Sequence, residues 1–555
     1  MIKNVKQILK NLLANSIKYL KNNYKQISIY LIAILIISFV FFQYAPIIPP
    51  DSGYYYYLSL IIRGIEPLSS WYTVRGPILP TYISFFSIIF KNQVTAVVCA
   101  MLVQYLLNLY LLYKVMNIIK NKNSNKLRNT LYIIFIMINP LMFGYGHTLL
   151  TEIIAPTIII FSCFIAFKWE KNEWNIKNKK TWLYLILIIL IGSISWFLKQ
   201  PYFIACYAPF IISFLISLIK KQKYALYKII PLILCVLCVL INIKIWDYYL
   251  NKAGNVSDSS SMNGTYISKS LIGALNSYFI IEKDISVCDL YNENQLDLFA
   301  EKEKKLITKK TCNKFTLLNI KDLNGKTIEY DLIKDYDQIS SINAIKILLI
   351  QIGKHPWLVI NSYFNNYMAM IDIFPTNITN NEYKPIRQFA PVNNENANLA
   401  FVTYTNVPIH WWGYDNPKSY DELNEEYVYI KHMKDFELWN NYSNESIALV
   451  SEIYPIYTCY FKLIFLLLPC LVVIQIIKFF KEKSLKNTLL LILYGTSVCH
   501  LLFHTVTGAI IDRYAYVVYP ISILSIIINF TIKEEVKNDK KSSKKRKINI
   551  HNPSL

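Results

Sequence analysis

Glycine is scarce, 14 residues in a chain of 555, and none of it forms a phosphate-cradling loop. A nucleophile elbow is also missing, as is any pair of cysteines at zinc-ligand spacing. Nucleotide-loop, serine-hydrolase and zinc-ribbon chemistries therefore drop out. Acidic residues are few, 36 Asp+Glu against 58 Lys+Arg, for a formal charge of +22. This excess does not point to nucleic acid. The basic residues sit between apolar blocks such as 31–40 and 184–190 rather than along one face. A hydrophobic content of 54% and a mean hydropathy of +0.30 exclude an ordinary soluble enzyme. No internal repeat is present. The basic lead 3–25 and the apolar run to Pro50 lack a small-residue cleavage site, so this segment reads as a retained anchor.

A membrane-crossing helix needs roughly 20 apolar residues. Ten segments are expected to cross: 27–47, 94–113, 130–148, 152–167, 182–198, 201–219, 229–246, 453–477, 487–507 and 513–532. The fold expected is an all-α polytopic membrane bundle with interfacial helices and a small mixed extramembrane domain. Orientation follows from the short connections, because Lys and Arg collect on the cytoplasmic side. With residue 1 inside, the inner segments hold 32 Lys/Arg against 6 Asp/Glu. The long outer segment 248–452 holds 19 against 25. Both termini are thus expected in the cytoplasm.

The chain divides into a basic lead 1–26, a membrane module 27–247, the outer region 248–452, C-terminal spans 453–532 and a basic tail 533–555. The tail suits anionic headgroups. Segment 76–90 is uncharged, but counting it as a span would invert everything downstream. It is expected as a short helix lying in or re-entering the outer interface. Segment 342–371, interrupted at His355-Pro356, is expected as one or two interfacial helices. Cys288 and Cys312, the only outer cysteines, are either bridged or two free thiols.

Ionisable residues gather at the outer ends of nearly charge-free spans, where such residues are functional candidates by default. Asp51, in Pro49-Pro50-Asp51-Ser52-Gly53-Tyr54, is a candidate general base, or merely a helix-flanking aspartate. It is expected just past the end of the first span. Arg75 opens the interfacial helix and is suited to gripping a phosphate, or to snorkelling toward headgroups. Glu152, after His147, begins the fourth span as a second carboxylate or as a dipole-favoured cap. Lys199 forms a tight outer turn that asks for an anionic partner, either a ligand phosphate or a lipid headgroup. Asp512 and Arg513 start the last span and are an ion pair or part of a site. His500 and His504, four apart on one helix face, have the spacing of two metal ligands but no identifiable third; structural histidines share that spacing. Trp411 and Trp412, in the outer domain, are candidate sugar-stacking residues or ordinary core.

This set resembles the GT-C superfamily of membrane glycosyltransferases: an acid after the first span, an Arg-x-Pro helix, an acid at the fourth span and a Lys-x-Pro turn after the fifth. Protein O-mannosyltransferases and the aminoarabinose transferases that modify lipid A are the nearest in pattern. Arg513-Tyr514 with Pro520 is similar to the final span of many such proteins. The resemblance covers residues 27–220 and 495–530 and leaves 248–452 untouched. The first acid stands alone before Ser52, and Arg75-Gly76-Pro77 carries one proline where relatives often have two.

What the resemblance implies is glycosyl transfer at the outer face of the cell membrane, from a polyprenyl-phosphate sugar to a glycan, lipid or protein acceptor. Asp51 and Glu152 would be catalytic, with Lys199, Arg75 and Arg513 at the donor phosphate and Tyr54 and His147 at the acceptor or sugar; Trp411 and Trp412, outside the resemblance, are sugar-contact candidates by residue type alone. A divalent cation is an open cofactor. The competing classes are a flippase or transporter of lipid-linked oligosaccharide, a polymerase using the same kind of substrate, and a noncatalytic scaffold. Charge-free spans count against the transporter, and an outer region whose sole arginine is Arg387 counts against the polymerase.

Overall fold

The computed structural model describes residues 28–39, 41–42, 50–70, 76–119, 125–146, 149–253 apart from 173 and 176, 280–282, 286–299, 301–321, 327–334, 349, 352–353, 356–371, 444–506 and 512–532. Among them, eight helices are long and apolar enough to cross a membrane, which makes the chain a multi-pass membrane protein. Its helices begin with α1 (Ser28–Phe39), α2 (Pro50–Ile62), α3 (Ile78–Ile89), α4 (Gln93–Met116), α5 (Asn125–Tyr132) and α6 (Pro140–Gly146). There follow α7 (Ala155–Glu170), α8 (Lys179–Leu198), α9 (Gln200–Ile219), α10 (Ile229–Lys252) and the short α11 (Val287–Asn292). The last are α12 (Pro356–Met370), α13 (Asn444–Lys481), α14 (Leu485–Val506), α15 (Asp512–Tyr516) and α16 (Tyr519–Thr531).

One of the ten expected spans differs, and another is described only in part. The first, 27–47, is described as α1, with 43–49 outside the described residues. The third, 130–148, is not one continuous helix. It runs as α5, a wide π-turn at Ile133–Met137, a break at Ile138 and Asn139, and then α6. The cause is Asn139-Pro140. Proline has no N–H to offer the preceding turn, and the Asn139 carbonyl oxygen Oδ1 accepts from the Leu141 and Met142 amides at 2.9 and 3.3 Å, restarting the helix as a cap does. Asn139 Nδ2 donates to the Phe135 carbonyl at 3.0 Å and to the Tyr519 hydroxyl at 3.2 Å. Irregular backbone at membrane depth survives only when protein satisfies it in this way.

After the first expected span, Pro50 opens α2, so Asp51 and Tyr54 lie in the first turns of a helix; proline is favoured at that position. Segment 76–90 forms α3, 12 residues long and too short to cross. It pairs with α2 through Ser84 Oγ, which donates to the Ser59 carbonyl at 3.0 Å. Arg63, at the end of α2, donates to Gln93 Oε1 at 3.0 Å.

The bundle is centred on α7 and α16, whose apolar windows are 78% and 83% buried, while those of α10 and α13 are 28% and 22% buried. Outward residues of α10 include Ile233, Leu237, Leu240 and Ile241, a surface that only an apolar solvent tolerates over such an area. Small residues let the helices close. A Cβ on Gly192 of α8 would stand 2.3 Å from Cys235 Sγ of α10. Ser213 Oγ of α9 donates to the Ala166 carbonyl of α7 at 3.0 Å, and Ser522 of α16 to Ser497 Oγ of α14 at 3.0 Å.

Within 248–452 the described residues form a three-stranded antiparallel sheet in the order β1 (Ile280–Glu282), β2 (Phe315–Lys321), β3 (Thr327–Lys334). Leu317 pairs with Leu332, and the β2–β3 register shifts between Ile320 and Lys321. Val287, Leu290, Phe299, Ile307 and Leu317 make its small core, stapled by a Cys288–Cys312 disulfide. The two cysteines are thus bridged. Downstream, α12 starts at Pro356 and lies on α14, its Asn366 Nδ2 donating to the Thr505 carbonyl at 3.2 Å. Trp357, Ile360 and Phe364 face outward from it. The remainder of 342–371, the tails 1–26 and 533–555, and residues 372–443 lie outside the described residues.

Candidate functional site

Helices α8 and α9 are joined by a single extended residue, Lys199 (φ −170°, ψ 131°). Its amide closes α8 on the Ser195 carbonyl at 3.1 Å, and its carbonyl accepts the Tyr202 amide at 2.9 Å. Pro201 in the first turn of α9 keeps the two helices from merging. The lysine side chain therefore emerges where two antiparallel helices turn. Facing it is Glu152, in the one-turn 3-10 segment Thr151–Ile153 that leads into α7.

Lys199 Nζ stands 3.8 Å from Glu152 Oε1, with the glutamate 1% and the lysine 16% exposed. Thr151 Oγ1 donates to Glu152 Oε2 at 3.0 Å. At 3.8 Å the ion pair is a Coulombic contact rather than a short hydrogen bond. The anionic partner that Lys199 required is thus supplied by the chain itself.

The ammonium also donates to the Tyr514 hydroxyl at 2.9 Å, and it lies 4.3 Å from that ring's centroid and 5.9 Å from that of Tyr202. Tyr514 is gripped from its other side. His504 stacks on the ring (4.5 Å between centroids, 13° between planes), and His500 Nε2 lies 2.9 Å from the Tyr514 carbonyl. A carbonyl only accepts, so this contact assigns the proton to Nε2 of His500. The two histidine rings meet edge to face at 4.5 Å, and Tyr202 lies 6.1 Å from His500. Among the described residues no three His, Cys, Asp or Glu side chains converge as a metal site would require.

Of the candidates, Glu152, Lys199, His500 and His504 are brought together. Arg513 lies in α15 beside Tyr514 in the chain, and α15 packs against the turn that carries Glu152. Asp51 and Tyr54 lie in α2, whose Leu58 and Ile61 pack with Leu250 near the C-terminal end of α10. That is also the Lys199 end of the bundle: Phe197, two residues before the lysine, has its ring 6.3 Å from Trp246. Gly76 sits so tightly on Phe197 that a Cβ there would lie 1.8 Å from the Phe197 carbonyl oxygen. Arg75, His147, Trp411 and Trp412 lie outside the described residues.

Sequence reasoning passed over Tyr514, Tyr202 and Thr151 as participants. The signal for Tyr514 was its place after Arg513 at the head of the last span. Its reach across to Lys199 needs the fold, since 315 positions separate them.

A second polar cluster occupies the far end of α7. Glu170 pairs with Lys220 at 3.0 Å and accepts from Gln222 at 2.8 Å. The fully buried Lys228 donates to the Trp169 and Glu170 carbonyls at 3.1 and 2.9 Å, capping α7. Glu152 and Glu170 are about 27 Å apart at 1.5 Å per residue, close to the hydrocarbon thickness of about 30 Å. The far cluster reads as a lock, because its groups satisfy one another. Lys199 and Lys220 are equally exposed, at 16%; the clusters differ in pairing, since Lys220 closes on Glu170 at 3.0 Å whereas Lys199 stands 3.8 Å from Glu152.

Comparison with protein-family models, with curated proteins and with solved structures gives no match.

Proposed function

We propose that this chain is a membrane glycosyltransferase that moves a sugar from a polyprenyl-phosphate donor to a glycan, lipid or protein acceptor at the outer face of the cell membrane. The observation that carries the reading is the Glu152–Lys199–Tyr514 cluster, a buried carboxylate and a rim-exposed cation at one end of charge-poor helices. A sugar on a lipid phosphate places its reacting bond at that depth, with the prenyl tail among the helices. The disulfide in 248–452 suits an oxidising compartment, which supports placing that region outside with both termini in the cytoplasm. The ten-crossing topology, with α1 and the broken α5–α6 segment as two of the crossings, belongs to the same proposal.

In the step itself, the acceptor hydroxyl attacks the anomeric carbon and gives its proton to Asp51. The bond from that carbon to the phosphate oxygen breaks, and its electron pair leaves on the lipid phosphate. Lys199, with Arg75 and Arg513, stabilises the departing charge. Glu152 holds the Lys199 ammonium at the rim until a phosphate takes its place as the counter-ion.

A flippase for lipid-linked oligosaccharide is the second reading. The broken segment at Asn139 favours it, since transporters interrupt helices within the membrane. The described side chains that close the break, Asn139 and Tyr519, are uncharged, which favours transfer chemistry.

The test is transfer of radiolabelled sugar from defined polyprenyl-phosphate sugars to membrane acceptors. Wild type is compared with Asp51→Asn and Lys199→Met at equal membrane expression. Loss of about a hundredfold with Asp51→Asn is expected of a catalytic base. Retained transfer by Asp51→Asn would move the base elsewhere, and no transfer by wild type across a broad donor panel would bring the flippase forward.

A further inference from the structure

We infer that Tyr514 is the positioning residue for the Lys199 ammonium, with His500 and His504 acting as its bracket. The phosphate it serves rests on the donor reading above.

A lysine side chain has four rotatable bonds, and holding its tip at one point costs rotamer entropy. Beside a buried carboxylate the ammonium's natural course is to close onto it. Here it stops 3.8 Å short of Glu152 and donates instead to the Tyr514 hydroxyl at 2.9 Å. The tyrosine thus sets how far the cation stands from the carboxylate, and so how much of it a ligand phosphate can meet.

A tyrosine can do this only if it is itself fixed. Tyr514 is 7% exposed. His504 lies flat on its ring, and His500 holds its backbone carbonyl. The two histidines are one helical turn apart on α14, which explains the four-residue spacing without a metal: one grips the backbone and the other the ring of the same residue. Their burial (both 0% exposed) and their edge-to-face contact keep the bracket rigid. Tyr202 closes the near side, with its ring 5.9 Å from the ammonium.

The test is a double-mutant cycle on binding, with the full chain in zwitterionic nanodiscs. The probe is a long-chain polyprenyl monophosphate, with the corresponding polyprenol and an anionic phospholipid as controls. Tyr514→Phe keeps the ring on His504 and removes only the hydroxyl. The expected result is about tenfold weaker binding of the phosphate, the scale of one hydrogen bond to a charged group. In the Lys199→Met background the same substitution should change binding by less than about twofold. A merely structural tyrosine would weaken both backgrounds equally, and that additivity would overturn the inference while leaving the donor reading standing. No effect of Tyr514→Phe in either background would overturn it as well. Wild type that binds the polyprenol or the anionic phospholipid as well as the polyprenyl phosphate would sink the donor reading, and the inference with it.

Discussion

Single atoms set the tolerance of this bundle to substitution, and two glycines show how differently. At Gly192 the obstacle to a Cβ is the Cys235 sulfur at 2.3 Å, a side-chain atom that can be removed. At Gly76 the obstacle is the Phe197 backbone carbonyl at 1.8 Å, which cannot move without shifting α8 and the Lys199 turn that follows it. Gly192→Ala is expected to cost about 1–3 kcal/mol by overpacking, most of it recovered in Gly192→Ala/Cys235→Ala. Gly76→Ala should cost more and find no such rescue. Thermal unfolding of the three variants in a common detergent checks the ranking. At the same scale, the sequence pointed to Lys199 as a cation in want of a partner. Glu152 was visible as a candidate of its own, but their pairing was not, because 47 positions of chain and two helices lie between them.

Elements begin and end here for local reasons, and most of those were readable. Pro201, Pro356 and Asn178 mark starts, and the 3.6-residue apolar pattern fills the lengths between. The third expected span is where pattern alone misled. Its hydropathy is continuous, yet Asn139-Pro140 cuts it, and the cut is stable because Tyr519 from α16 meets the asparagine. A different element-level outcome concerns the region 248–452, where the Cys288–Cys312 bridge closes a loop of sequence separation 24. Loop-closure entropy assigns it about 3 kcal/mol. Cys288→Ser is expected to expose the 286–321 segment to limited proteolysis while leaving the eight long helices folded. Non-reducing mass analysis of the wild-type peptide should find the bridge intact. A free-thiol peptide from protein isolated without reductant would contradict it.

At the level of the whole molecule, two polar clusters lie at opposite ends of α7, and the basic connections are expected to turn the Glu170–Lys220 end toward the cytoplasm. Membrane sidedness is therefore a sharp prediction. In intact cells Lys310→Cys, beside the disulfide-stapled core, should react with an impermeant maleimide. Lys223→Cys, at the Glu170–Lys220 end, should react only after permeabilisation. The reverse pattern would turn the molecule over and move the Glu152–Lys199 cluster to the cytoplasmic face.

By itself the sequence determined the solvent. Its apolar runs, its charge-poor spans and its basic connections follow from transfer free energies that each segment carries wherever it sits, so a membrane bundle and its expected sidedness needed no coordinates. It also marked the outer ends of the spans as the place to look for chemistry, since charges are tolerated there and not deeper. The tertiary structure alone decided which of those charges meet. Lys199 faces Glu152 and Tyr514, and the two histidines grip a tyrosine, because helices distant in the chain pack side by side at one end. Contacts of that kind depend on close packing among many residues at once, and no single segment encodes them.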